Sequence, residues 1–298
     1  MQLLIYLLVN PIIWFLSILP LRVLHLLSDI LYVILYHIIG YRKNVVRHNL
    51  ELSFPDKTFE ERLEIEKKSF HHFIDSFTEM IKSFGISKKE ISKRAKIENP
   101  ELINNLIRNH KSVIILSSHH ANWEWAPYLI NQLMDCNAYA AYTKIQNKYF
   151  EKKMKSSRSK FGVKFVLSSK FIDQMRENDD HKKTALYGFL SDQSPQLKKA
   201  YYWSRFMGIK VPIITGHEML AKRFDYPVVF LQTDRIKRGY YKSKLILLTE
   251  NPRDFPDYEI TDMYLNLLEK QIRNNPEYYF WTHKRFKHMD KENLTMTS

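Results

Sequence analysis

The first 21 residues, MQLLIYLLVNPIIWFLSILPL, carry no charged side chain. About 20 apolar residues suffice to cross the hydrocarbon of a bilayer, so this run demands either a membrane or a deep core. A second apolar stretch, Val23 to Gly40, holds Asp29 and two histidines. Arg22 and Asp29 are the only formal charges in residues 1–40, and they cancel. A basic cluster follows at once, Tyr41-Arg42-Lys43-Asn44-Val45-Val46-Arg47. Residues 1–40 are therefore predicted to be a hydrophobic membrane-anchoring segment. A secretory signal is not expected, because no basic n-region precedes the run and no small-residue cleavage site follows it. The position of the cluster predicts that the rest of the chain faces the cytoplasm. Pro11 and Pro20 leave two arrangements open, a span and a bent helix lying in the interface. A pair of buried core helices is the third.

The formal net charge of +14, from 46 Lys+Arg against 32 Asp+Glu, lies wholly in residues 41–298. Such a surface suits an acidic partner: nucleic acid, an anionic membrane or an acidic protein. One cysteine, Cys136, excludes a disulfide scaffold and a cysteine-built metal cluster. With 7 glycines in 298 residues and neither G-x-x-x-x-G-K-[ST] nor G-x-G-x-x-G, no glycine-rich nucleotide loop is expected.

Residues 41–298 read as one α/β region with a helical lead-in over 41–100. Apolar spacing predicts a helix over 59–82, started near Pro55 and Asp56. Strands are predicted at Val113–Ser118, Ala138–Thr143, Val163–Leu167, Thr184–Ser191, Val228–Thr233 and Lys244–Thr249. Helices are predicted at Trp123–Met134, Lys148–Lys160, Ile213–Phe224 and Tyr258–Asn274. Alternating strands and helices imply a mainly parallel central sheet flanked by helices.

The segment Ser117-Ser118-His119-His120-Ala121-Asn122-Trp123-Glu124-Trp125 leaves a predicted buried strand and opens a helix. Ligands of open α/β sheets bind outside the carboxyl ends of strands. A histidine there, with a carboxylate to orient it, can act as a general base. Spacing leaves the pairing open. On a regular helix five residues advance by about 500°, so His119 and Glu124 meet only if His119 sits in the preceding loop. His120 and Glu124 are four apart and can form an ordinary helical pair. A metal site from His119, His120, Glu124 and a distant carboxylate is a third reading.

This segment matches the H-x4-[DE] motif of membrane acyltransferases, and the chain resembles the late lipid A biosynthesis (lauroyl/myristoyl) branch of the lysophospholipid acyltransferase superfamily. The likeness runs through Tyr41-Arg42, Asn49-Leu50, Phe54-Pro55 and Glu60-Glu61-Arg62. It continues through His119 to Glu124, Asn147 with Arg158 eleven residues later, and Asp192-Gln193. It closes on Tyr279-Phe280-Trp281-Thr282-His283-Lys284-Arg285-Phe286-Lys287. The resemblance selects His119 over His120 and implies a glycerolipid-acyltransferase-like fold. It implies His119 as base with Glu124 as orienter, and Arg158 and Asp192 as further site residues. Asn122 is grouped with them as a substrate-binding candidate. Backbone amides at Asn122–Glu124 or the Arg158 guanidinium are the expected oxyanion donors. No cofactor and no metal are implied. The implied reaction moves an acyl chain from acyl carrier protein to a hydroxyl of a lipid A precursor at the bacterial inner membrane. The family pattern departs at His120 and at Gln193-Ser194-Pro195-Gln196, which lacks a glycine, and this bears on the acceptor.

Two other readings stand beside it. One is an O-acyltransferase for a lysophospholipid or an amino-acid-containing lipid. The other is a membrane-tethered basic protein, since Lys198–Arg205 and Tyr278–Lys287 interleave cations and aromatics as nucleic-acid binders do. That second reading leaves the His119 segment unused, so no nucleic acid is expected as a partner.

Overall fold

The long lead-in helix starts where a capping box can form. Thr58 Oγ1 accepts from the Glu61 amide at 3.2 Å, and Glu61 Oε2 accepts from the Thr58 amide at 2.7 Å. The helix then runs to Gly85 rather than 82. A computed structural model describes residues 1–108, 111–130, 133 and 136–294. In chain order the helical half comprises α1 (Gln2–Ile18), α2 (Leu21–Tyr32), α3 (Lys43–Ser53), α4 (Phe59–Gly85) and α5 (Lys88–Arg94). Next come β1 (Ala95–Ile97), α6 (Glu101–Arg108), β2 (Val113–Ser117), α7 (Ala126–Ile130), β3 (Asn137–Tyr142) and α8 (Lys148–Ser159). Then follow β4 (Val163–Leu167), α9 (Phe171–Asp180), β5 (Ala185–Leu190), β6 (Tyr202–Phe206), β7 (Ile209–Ile213) and α10 (Gly216–Phe224). The last elements are β8 (Val228–Lys237), β9 (Tyr240–Thr249) and α11 (Glu259–Asn274).

Among the described residues seven strands form one sheet in the order β1-β9-β8-β2-β5-β3-β4, and within it only the β8–β9 pair is antiparallel. The expected α/β class and mainly parallel sheet are thus observed. Alternation along the strands splits the core into two layers. Ile114, Leu116, Tyr187 and Phe230 pack with α9, α10 and α11, whereas Ile115, Leu186, Val229 and Leu231 pack with α6 and α7. β6 and β7 form a separate hairpin whose two-residue turn, Met207-Gly208, has φ of 53° and 84°. Two left-handed residues match the twist of the strands they join. Residues 213–215, expected in a helix, belong to the end of this hairpin and the link to α10. The helix expected over Trp123–Met134 opens as a 3-10 turn, Trp123–Trp125, and continues as α7. Part of its remainder lies outside the described residues.

The uncharged N-terminal run does not form one span-length helix. Leu19 and Pro20 break it, because proline carries no amide hydrogen for a continuing helix. The stretch of spanning length is the second, Leu21–Ile39, 19 residues with a mean hydropathy of 1.5, whose last part is a π-helical turn. Leu4, Leu8, Ile12 and Phe15 of α1 and Leu26 and Ile30 of α2 are exposed. The opposite face of α2 is polar and docked on α4. Ser28 donates to Asp75 Oδ1 at 2.7 Å, and His25 Nε2 lies 3.1 Å from Glu79 Oε1. Arg238, on the β8–β9 turn, pairs with both Asp29 and Asp75 at 2.6 Å. Burial alone would raise the Asp75 carboxyl, but hydrogen bonds from His71, Arg238 and Ser28 hold it well below the usual range. The basic cluster is also engaged by the protein. Arg42 donates to Thr282 O, Arg47 pairs with Glu66, and Lys43 sits over the Tyr36 ring.

Candidate active site

Parallel pairing sets the height of the two groups that matter most. Ser117 at the end of β2 pairs with Leu190 at the end of β5. His119 and Asp192 each lie two residues beyond that pair, and they meet. His119 Nδ1 donates to Asp192 Oδ1 at 2.8 Å. Asp192 is buried and His119 is partly open. Burial pushes the Asp192 carboxyl up, but the adjacent imidazole and its hydrogen bond outweigh this and hold it below its ordinary value. An ionised Asp192 fixes the proton on Nδ1 and leaves the Nε2 lone pair facing outward. The Gln193 amide lies 3.3 Å from Nε2, a long contact that a substrate hydroxyl can replace. Trp123 and Phe280 pack on the ring at centroid distances of 5.2 and 5.8 Å.

The carboxylate hydrogen-bonded to His119 is Asp192, not Glu124, the expected orienter. Glu124 lies in the 3-10 turn and points across to α8. There Arg158 Nε and Nη2 donate to its two oxygens at 3.0 and 2.6 Å. This fork is the strong bidentate geometry, and it fixes a cation beside His119. His120, the alternative partner of Glu124, is buried elsewhere, donating from Nε2 to Asn275 O at 3.1 Å. Asn122, expected to bind substrate, is buried with its amide already engaged. Its Oδ1 accepts from the Trp125 amide at 3.2 Å, a helix-start cap, and its Nδ2 donates to Glu79 Oε2 at 2.6 Å. Among the described residues no group of three or more His, Cys, Asp or Glu is placed to hold a metal ion.

The loop that carries His119 is held from two sides. Ala121 has φ of 54°, a conformation that costs a residue with a side chain about 1 kcal/mol. Its carbonyl accepts from His72 Nε2 at 3.2 Å, and its amide donates to Tyr278 O at 2.9 Å. The Phe280 amide donates to His119 O at 3.1 Å. The aromatic segment at 278–287 thus completes the site from the far side. Its Arg285 is buried, lies over the Phe206 ring, and shares contacts with Ser194 two residues past Asp192. The supporting residues His72, Glu79, Gln193 and Phe280 carry no local motif for this role. Only Gln193 and Phe280 had a signal, their place inside the quoted segments.

His119, Glu124 and Arg158 open onto one cavity of about 710 Å³. Ile115, Ile130, Phe165, Phe171 and Leu231 line it, and Lys199 stands on its wall. A polar corner at one end of an apolar slot suits a substrate with a reactive head and a hydrocarbon tail.

Known proteins resemble this chain in sequence. The sequence pattern of bacterial lipid A biosynthesis acyltransferases fits residues 1–288. The chain is 21% identical over 253 residues to a lipid A biosynthesis palmitoleoyltransferase of Escherichia coli (strain K12), a stretch covering 83% of this chain and 79% of that protein. A lipid A biosynthesis acyltransferase of Shigella flexneri matches to the same extent. The histidine–carboxylate pair at the mouth of an apolar cavity and the match over nearly the whole length agree: the chain is an acyltransferase and belongs to the bacterial lipid A biosynthesis acyltransferase family.

Proposed function

We propose that the protein moves a fatty acyl chain from the thioester of acyl carrier protein to a hydroxyl of a lipid A precursor at the cytoplasmic face of the inner membrane. The observation that carries this reading is the His119–Asp192 pair at the open end of the apolar cavity. His119 Nε2 takes the proton of the acceptor hydroxyl, and Asp192 stabilises the imidazolium that forms. The hydroxyl oxygen attacks the thioester carbonyl, the carbon–sulfur bond breaks, and His119 returns the proton to the leaving thiolate. Arg158, held by Glu124, supplies positive charge to the oxyanion or to an anionic group of the substrate.

The basic surface supports an acidic carrier as donor. Lys148, Lys152 and Lys155 are exposed on α8, the helix that also carries Arg158. In this reading residues 1–40 anchor the protein through their exposed apolar faces, and residues 41–298 carry the catalysis.

The test is direct. Purified protein is incubated with acyl carrier protein bearing defined chains and with lipid A precursors, and products are read by mass spectrometry. The expected result is a precursor heavier by one acyl group, lost in His119→Ala. Full transfer by His119→Ala would refute the mechanism. Acylation of a phospholipid or aminolipid alone would refute the acceptor.

A further inference from the structure

β5 carries a glycine in mid-strand where neither backbone nor packing asks for one. Gly188 pairs with Ile115 of β2 and with Ala140 of β3 at the centre of the sheet. A glycine inside a strand costs about 0.5–1 kcal/mol relative to alanine. Positive φ is the usual reason for it, and Gly188 is not among the positive-φ glycines. Steric crowding is the other, and it too is absent. A Cβ at Gly188 would meet Ile130 Cδ1 at 3.5 Å, Tyr139 O at 3.7 Å and the Ala140 Cβ at 4.0 Å, all ordinary contacts. What the missing side chain provides is space. Gly188 and Ala140 both line the 710 Å³ cavity that begins at His119. They lie two residues down their strands from the carboxyl ends, about 7 Å at the rise of a strand. One layer further down, Val113, Leu186 and Ala138 are buried in the sheet's own core, while Val163 of β4, beside Ala138, still borders the cavity. Close approach of a ligand is one of the recurrent reasons for a glycine within a strand.

We propose that Gly188, with Ala140 beside it, forms the floor against which the methyl end of the acyl chain rests, and so selects its length. The inference rests on the acyl-transfer reading above and adds a specificity determinant to it. A side chain at Gly188 takes space from the slot between β2 and β3 and excludes the last methylenes of a long chain. One methylene in an apolar pocket is worth roughly 10–200-fold in kcat/KM.

The experiment compares wild type, Gly188→Ala and Gly188→Leu on acyl carrier proteins bearing saturated chains of graded length. The readout is the ratio of kcat/KM between the chain that wild type prefers and shorter ones. Gly188→Ala should shift that ratio toward shorter chains by about 10-fold, and Gly188→Leu by more. Gly188→Ala fits with ordinary contacts, so it carries the test if the leucine variant does not fold. An unchanged ratio in Gly188→Ala, with wild type active, overturns the inference. A wild type that transfers no chain from any donor refutes the acyl-transfer reading itself.

Discussion

Replacing His72 by glutamine should make the protein less stable at neutral pH yet less sensitive to acid. His72 is buried on α4, and its partners specify its charge. Nε2 donates to the strained Ala121 carbonyl at 3.2 Å, and Arg235 Nη1 donates to Nδ1 at 3.2 Å. A guanidinium has only donors, so Nδ1 must keep its lone pair and the ring must be neutral. Burial first, then the Arg235 charge, lower its pKa to about 3. The unfolded chain binds that proton near pH 6.5. A depressed folded pKa gives stability that is complete above about pH 6.5 and is lost as pH falls below it. From pH 7 to pH 5 this one histidine should remove about 2 kcal/mol, a sizeable share of a total near 5–15 kcal/mol. His217, also buried and lowered to about 3 by desolvation, adds a similar amount to the wild-type slope. Glutamine keeps a donor near Ala121 O but has no proton to gain. The assay is urea unfolding in detergent at a series of pH values between 7 and 5. The wild-type and variant curves should differ by about 1 kcal/mol at pH 7, with wild type the more stable, and converge or cross by pH 5. Parallel curves would show that His72 is not a buried neutral group and would refute the reasoning.

Asp192→Asn should keep the fold yet lower kcat by about 10³–10⁴-fold, because an amide presents the wrong partner to Nδ1 and leaves the base nitrogen protonated; turnover with a matched melting temperature checks it. Arg158→Lys keeps the charge but cannot fork both oxygens of Glu124, so a fall in kcat/KM of about 10-fold is expected, measured by initial rates. If α1 lies in a lipid surface, replacing Leu4, Leu8 and Ile12 together by serine should weaken vesicle binding at least about 100-fold in a flotation assay, since each such side chain contributes about 1.5–3 kcal/mol when buried.

Strands were the legible part of the sequence. Val113–Ser117, Val163–Leu167 and Ala185–Leu190 are short apolar runs between polar stretches, and all form where expected, within a residue or two. The β6–β7 hairpin was hidden, because its aromatic and basic residues, such as Tyr202, Trp203 and Arg205, also read as a binding surface. β8 and β9 run further than expected because their outer halves pair with each other, which supports polar residues such as Arg235 and Lys242 in strand. At the site, His119 and Asp192 each stood out at a strand end, but their partnership did not. They are 73 residues apart, and only the register of β2 on β5 brings them level. Local spacing left the partner of His119 open and the resemblance named Glu124, but neither showed that Arg158 would engage Glu124 from α8. The buried ionic network on α4 was masked for a similar reason. Apolar periodicity found Ile65, Phe70 and Ile74, while Asp75 and Glu79 are buried only because partners from α2 and the β8–β9 turn reach them.

The pairing of residues 278–280 with the His119 loop sets an order of events during synthesis. Chains emerge from the ribosome N-terminus first. The apolar helices α1 and α2 are made before any strand of the sheet, and His119 follows. Its loop gains the Tyr278 and Phe280 backbone contacts only some 160 residues later. The His119 loop therefore reaches the backbone pairing it has in the folded protein only after residues 278–280 have been made, which leaves its final conformation to the last stage of synthesis.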